Sequence, residues 1–294
     1  MTAPGETTDA PLIDCHAHVW GEHMPFVSTA WTRPSYVYSA EKYLADLDAH
    51  GIRYGVIAAA SLFGTYNDYS IRALRAHKRL RATAIVDPTV DLYTLEAMKA
   101  DGIVGVRLQW FFRNPLPDIA GDDFQRLCYR LRDLGMHIHL NIEGDRLVEV
   151  AGALMDTGVN LVIDHFGWHD PAPRLAAPSY QGMLGLLDRG NAWVKISSGF
   201  RHPNEHSPDW SLPVEYAQDL LRRVGVEKLF WGSDSPFVGH ESVASYGLAV
   251  ERFRQCVPDA DVRRAIGENG YRFYFGSQEA YARCRSINPT RSRV

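Results

Sequence analysis

Cysteine is scarce. The 294 residues hold four, at positions 15, 128, 256 and 284, with no CxxC or zinc-ribbon spacing. That excludes a cysteine-ligated metal centre and a scaffold stapled by disulfides. Cys15 and Cys128 lie in apolar segments and are expected to be buried thiols, which suits a reducing, cytoplasmic setting. Neither charge sign dominates: 31 Lys and Arg stand against 35 Asp and Glu, a formal charge of −4. Nothing in that balance attracts nucleic acid or an anionic membrane. No apolar run approaches the ~20 residues of a membrane span. The opening MTAPGETTDAP also lacks the basic and apolar segments of a secretory signal. Residues 1–10 and 277–294, the latter ending in NPTRSRV, are expected to be tails flanking a single domain over 11–276. No internal repeat interrupts it.

What is present is an alternation. Short β-branched or apolar runs at 12–16, 54–60, 80–86, 103–109, 136–142, 160–166, 192–198 and 228–234 predict eight strands. Segments with helical spacing lie between them, such as AEKYLADLDAHG, DDFQRLCYRLRDLG and LPVEYAQDLLRRVG, each closing on Gly. Two more, 241–256 and 259–275, follow the eighth run. The strands show little polar–apolar alternation, the pattern of a parallel sheet buried on both faces. Eight such units predict an α/β protein built as one (β/α)8 TIM barrel with a C-terminal helical extension. An open doubly wound sheet is the alternative, but the first strand–helix turn lacks a Gly-rich phosphate fingerprint. Long connections at 19–38 and 199–211 occupy positions where barrels carry lids and specificity loops.

A barrel gathers its active site at the carboxyl ends of its strands, so the residues found there decide the function. His16–Ala17–His18 alone is weak evidence, since twelve histidines produce about half such a pair by chance, and His137–His139 is a second. Position strengthens it. Strand one ends in Asp14, His16 and His18, which strand periodicity places on one face. Strand four ends in Arg107 and Gln109, strand five in Asn141 and Glu143, and strand six in Asp164 and His165. Strand seven ends in Lys195 and Ser197, and strand eight in Asp234. Burying so many polar groups unpaired would cost several kcal/mol each, roughly, and a shared polar site accounts for them. Asp164, adjacent to His165, is expected on the opposite face, toward the helices. His137 and His139 read as interior packing, Lys195 as the partner of a core carboxylate, and Glu143 as a possible buried partner of Arg107. The loop histidines His169, His202, His206 and His240 read as solvated.

The stretches IDCHAHVW, LVIDHFGWHDP and LFWGSDSPF, in that order, resemble the strand-one, strand-six and strand-eight signatures of the amidohydrolase superfamily, in its amidohydrolase-related branch. The resemblance runs over about residues 11 to 276. GVRLQWFFR and KISSGFR are further similar to motifs of lactonases acting on 2-pyrone-4,6-dicarboxylate. The resemblance implies that Arg107, Arg113 and Arg201 hold substrate carboxylates, for which the planar guanidinium is suited. Asn141 stands where those relatives are expected to carry tyrosine, so it is assigned to substrate binding. It implies further that Asp234 is the general base and that His16, His18 and His165 polarise a lactone carbonyl.

Superfamily members with zinc use the strand-one histidines and the strand-eight aspartate together with a strand-five histidine. Here Asn141 replaces the last. The expected mechanism therefore requires no cofactor, the alternative being one Zn²⁺ on His16, His18 and Asp234 in a decarboxylase or hydratase. The expected partner is a small-molecule carboxylate, with neither nucleic acid nor membrane, and a homo-oligomer is compatible with the sequence. A non-catalytic barrel is disfavoured by the intact set of histidines and aspartate.

Overall fold

Several helix starts carry a local instruction. Ser39, Asp91 and Ser245 accept the backbone N–H of the residue three positions on, and so open α1 (Ala40–Ala49), α3 (Leu92–Asp101) and α8 (Tyr246–Cys256). The computed structural model describes residues 10–168, 174–201 and 210–276. Within them, β1 (Ile13–Ala17), β2 (Tyr54–Ile57), β3 (Leu80–Ala84) and β4 (Ile103–Gln109) are followed by β5 (His137–Asn141), β6 (Asn160–Ile163), β7 (Ala192–Ile196) and β8 (Leu229–Trp231). All pair in parallel, in chain order. The intervening helices are α2 (Asp68–Ala76), α4 (Asp122–Asp133), α5 (Gly144–Met155), α6 (Pro178–Asp188) and α7 (Ser211–Val224), with α9 (Ala260–Tyr271) after α8. The ring closes where Asp234 N donates to His16 O at 2.8 Å and His18 N to Ser235 O at 2.8 Å. The predicted barrel is the observed one. Its strands are shorter than the apolar runs at β2, β6 and β8, because the chain turns out of strand geometry as it enters the site.

Two buried layers hold the barrel. Leu47, Leu95, Leu131, Leu154, Leu187 and Leu220 pack the helices onto the outer strand faces. Inside, Ile13, Cys15, Val56, Val104, Val162 and Phe230 form a separate cluster with Tyr274 and Phe275. A π-helical turn, Arg272–Gly276, continues α9 as the helical spacing over 259–275 predicts, and carries Tyr274 and Phe275 into this cluster at the amino end of the barrel. Cys15, Cys128 and Cys256 are buried thiols. Among the described residues no helix is long and apolar enough to cross a membrane. The loop histidines His169, His202 and His206 and the two tails lie outside the described residues, apart from Ala10.

Candidate active site

At β1 the sequence reading needs correction. Period-two alternation would place Asp14 with His16, but β1 shifts register against β2 between Asp14 and Ala17. Such an irregularity re-aims a side chain. Asp14 faces the helices, accepting from Ser233 N at 2.9 Å, Ser233 Oγ at 2.6 Å and Tyr246 OH at 2.8 Å. His16 turns inward. A similar surprise follows β6, where Asp164 does not face the helices. Both Asp164 and His165 enter the barrel because His165 adopts φ 55°, in the left-handed region. Ser198 (φ 55°) and Asp234 (φ 62°) share that conformation. Non-glycine residues held there cost on the order of 1–3 kcal/mol each and cluster at functional sites.

Asp234 is the centre of the arrangement. Its Oδ2 accepts from Ser198 Oγ at 2.7 Å and Arg201 Nε at 3.1 Å. Its Oδ1 lies 3.2 Å from His18 Nε2 and 3.6 Å from His16 Nε2. Burial alone would raise its pKa, but His165, His18, Arg201 and His16 together hold it well below the usual carboxylate range. His165 packs 4.6 Å from the His16 ring and shares a 2.9 Å hydrogen bond with Ser197 Oγ. Burial lowers its pKa to about 4. His18 donates Nδ1–H to Ala58 O at 2.8 Å. Neither Ser197 nor Ser198 entered the predicted site set, although Ser197 was noted at a strand end. The signal was the SSG that follows β7.

One layer below lies a charged girdle. Arg107 pairs with Asp164, Nε to Oδ2 at 3.2 Å, and not with Glu143, and its Nη1 donates to Ala59 O at 2.9 Å. Glu143 is taken instead by Arg146 and the Phe112 backbone. Lys195 pairs with Asp164 Oδ1 at 3.0 Å, the core carboxylate anticipated for it. Burial would raise the pKa of Asp164, yet Lys195, His16 and Arg107 hold it far below its ordinary value. His139 and His137 are interior, as expected, and Tyr274 OH lies 3.0 Å from His139 Nε2.

A cleft of about 1040 Å³ opens above Asp234, and His18, Arg107, Asn141, His165 and Arg201 share its lining. Asn141 Oδ1 accepts from Trp168 Nε1 at 2.5 Å. Arg113 sits exposed at the rim. Only Trp110 of the three aromatics after β4 is buried, against Phe124, while Phe111 packs on Trp168 and Phe112 is exposed. His16 is the exception among the predicted catalytic residues. It is fully buried beneath the floor, with Nε2 toward Asp234.

The ring nitrogens of His16 and His18 and an oxygen of Asp234 lie within 4.8 Å of one another, close enough for a zinc site. His18 fits that use, because its Nδ1 proton is taken by a carbonyl. His16 does not. Its one hydrogen-bond partner at Nδ1 is Lys195 Nζ, at 3.0 Å. Facing an ammonium, Nδ1 accepts, and the proton of the neutral ring resides on Nε2. That nitrogen has no hydrogen-bond partner among the described residues, and while it carries a proton it cannot ligate. In a second cluster, His16, Asp164 and His165, the His16 nitrogen nearest Asp164 is Nδ1, already engaged by Lys195 Nζ.

The chain resembles known proteins over most of its length. The sequence profile described as amidohydrolase matches residues 13–276. The chain is 26% identical over 234 residues to a 4-sulfomuconolactone hydrolase of Hydrogenophaga intermedia, covering 78% of this chain and 76% of the relative. It is 22% identical over 279 residues to a 2-pyrone-4,6-dicarboxylate hydrolase of Comamonas testosteroni, covering 90% of each. A solved Pseudomonas putida structure, provisionally assigned as a 2-pyrone-4,6-dicarboxylic acid hydrolase, superposes with TM-score 0.84 and 33% identity. That alignment covers 91% of this chain and 98% of the other.

Proposed function

The chain belongs to the amidohydrolase family, and from that premise we propose that this hydrolase opens a carboxylated lactone of the 2-pyrone-4,6-dicarboxylate kind. The observation that carries the reading is Asp234, an ionised carboxylate on the floor of a cationic cleft. Histidines aside, Lys195, Arg107 and Arg201 stand against Asp164 and Asp234, three positive groups against two negative. The surplus favours an anionic substrate. Two of the relatives act on lactones that are anionic by name, a sulfonate and a dicarboxylate.

Water lying against Asp234 attacks the ring carbonyl carbon and gives one proton to the carboxylate. The carbonyl oxygen becomes an oxyanion, stabilised from the cleft wall by His165 and by His18, whose Nε2 donates only as the imidazolium because its Nδ1–H is held by Ala58 O. Collapse breaks the ring C–O bond, and Asp234 returns the proton to the departing oxygen. The products are an enol or alcohol and a carboxylic acid, which releases its remaining proton to solvent and leaves as the carboxylate. A positioned base contributes roughly 10²- to 10⁴-fold, and an oxyanion donor about 2.7–4 kcal/mol. An activated ester can be opened within those limits without a metal. Arg107, Arg113 and Arg201 bind the substrate's carboxylates, with Asn141 beside them. His16, beneath the floor, supports Asp234 and does not touch the substrate.

Asp234→Asn is expected to lower kcat by about 10²-fold or more while binding of a dicarboxylate lactone persists. Unchanged turnover would remove Asp234 from its role. The close approach of His16, His18 and Asp234 favours a second reading, a zinc-dependent decarboxylase or hydratase, against which the Lys195 contact argues.

A further inference from the structure

Lys195 has no exposure, and three groups surround its Nζ: Asp164 Oδ1 at 3.0 Å, His16 Nδ1 at 3.0 Å and His139 Nδ1 at 3.1 Å. An ammonium carries three protons and no lone pair. Both imidazole nitrogens that meet it must therefore accept. Deeper in the barrel the same assignment puts the His139 proton on Nε2, which faces Tyr274 OH at 3.0 Å, a hydroxyl able to accept it. Toward the site the consequence is the same, with His16 Nε2–H aimed at Asp234 Oδ1. Asp164 Oδ1 also lies near His16 Nδ1, at 3.4 Å and without hydrogen-bond geometry. Were Lys195 absent, that oxygen would draw the proton to Nδ1 and leave a lone pair on Nε2, facing the carboxylate.

We infer that Lys195 is a positioning residue that locks His16 in its Nε2–H tautomer, so that an N–H and not a lone pair faces Asp234 Oδ1 at 3.6 Å and His16 cannot ligate a divalent cation. The value of this lock to catalysis rests on the lactonase reading. The lock itself does not. A ring held in the wrong tautomer beside a catalytic group can cost a factor of about 10⁴ in turnover, so the position merits direct measurement.

The test is made on the wild-type chain, without substrate, by NMR of ¹⁵N-labelled protein, with the His16 signals assigned by their loss in His16→Gln. The expected result is a neutral His16 with Nε2 protonated, a scalar coupling across the hydrogen bond between Lys195 Nζ and His16 Nδ1, and no change when Zn²⁺ is added after chelator treatment. A His16 protonated on Nδ1, or an Nε2 proton displaced by Zn²⁺, would overturn the inference. Lys195→Met supplies the second arm: Nδ1–H should appear at His16, and kcat for the lactone should fall by about 10²-fold or more with KM within about threefold. His16 remaining fully Nε2-protonated in that variant would show that Lys195 does not set it. If the wild-type tautomer is as stated and no lactone is hydrolysed, the functional reading fails and the lock stands.

Discussion

At the scale of single residues, the site depends on histidines kept neutral inside the protein. Burial lowers His165 to about 4 and, with Lys195 adding to the effect, His137 to about 3. His16 and His139 are driven well below the imidazole range by burial and then by Lys195. Because these folded-state values lie below the unfolded 6.5, acidification protonates the unfolded chain first. Stability is complete above about pH 6.5 and falls as pH drops toward 4, by ~1.4 kcal/mol per pH unit for each such histidine. Asp164 and Asp234 do not mask this, since their depressed values preserve their contribution above the ordinary carboxylate range. Urea denaturation between pH 8 and 5 should show a steep decline below 6.5. Equal stability at pH 7 and pH 5 would mean that the histidines titrate normally and are not sealed as described.

At the scale of elements, the strands were legible because each is a short apolar run followed by a polar group at its end. His16, His18, Arg107, Asn141, His165, Arg201 and Asp234 all converge on one end of the barrel, as their sequence positions implied. Side-chain direction was less legible. Asp14 and Asp164 were assigned to the wrong faces because alternation holds only while a strand is regular. The register shift in β1 and the positive φ of His165 are three-dimensional events without a local sequence signature. Tyr274 was hidden for a different reason: it lies in a helical-looking segment whose contact with His139 spans 135 residues.

The strand crossing at β8 also yields a prediction. A Cβ on Gly232 would stand 2.5 Å from His16 Cβ and 2.9 Å from its backbone N. Gly232→Ala must therefore push β1 and β8 apart. Overpacking of this kind costs about 1–3 kcal/mol, and displacing His16 from Asp234 should lower kcat well beyond what the stability loss explains. Paired thermal melts and steady-state rates would check this, and unaltered kinetics would show that the His16–Asp234 spacing is not critical.

At the scale of the whole molecule, the barrel is layered along its axis. The aromatic turn Arg272–Gly276 fills the amino end, the girdle of Asp164, Lys195 and Arg107 occupies the middle, and Asp234 with its histidines meets the cleft. Each layer fixes the one above: Tyr274 meets His139, His139 meets Lys195, and Lys195 sets His16. The fold and the gathering of polar strand ends at one end of the barrel could be read from a one-dimensional pattern. This vertical order could not, since its links join residues far apart in the chain.

The account as a whole is tested most directly by one rate. Protein stripped with a strong chelator is mixed with 2-pyrone-4,6-dicarboxylate, and the pyrone absorbance is followed. The account predicts hydrolysis at the rate of the untreated protein, with no further gain on adding Zn²⁺. Turnover appearing only once Zn²⁺ is restored would contradict the metal-free site, and no turnover in either case would contradict the substrate.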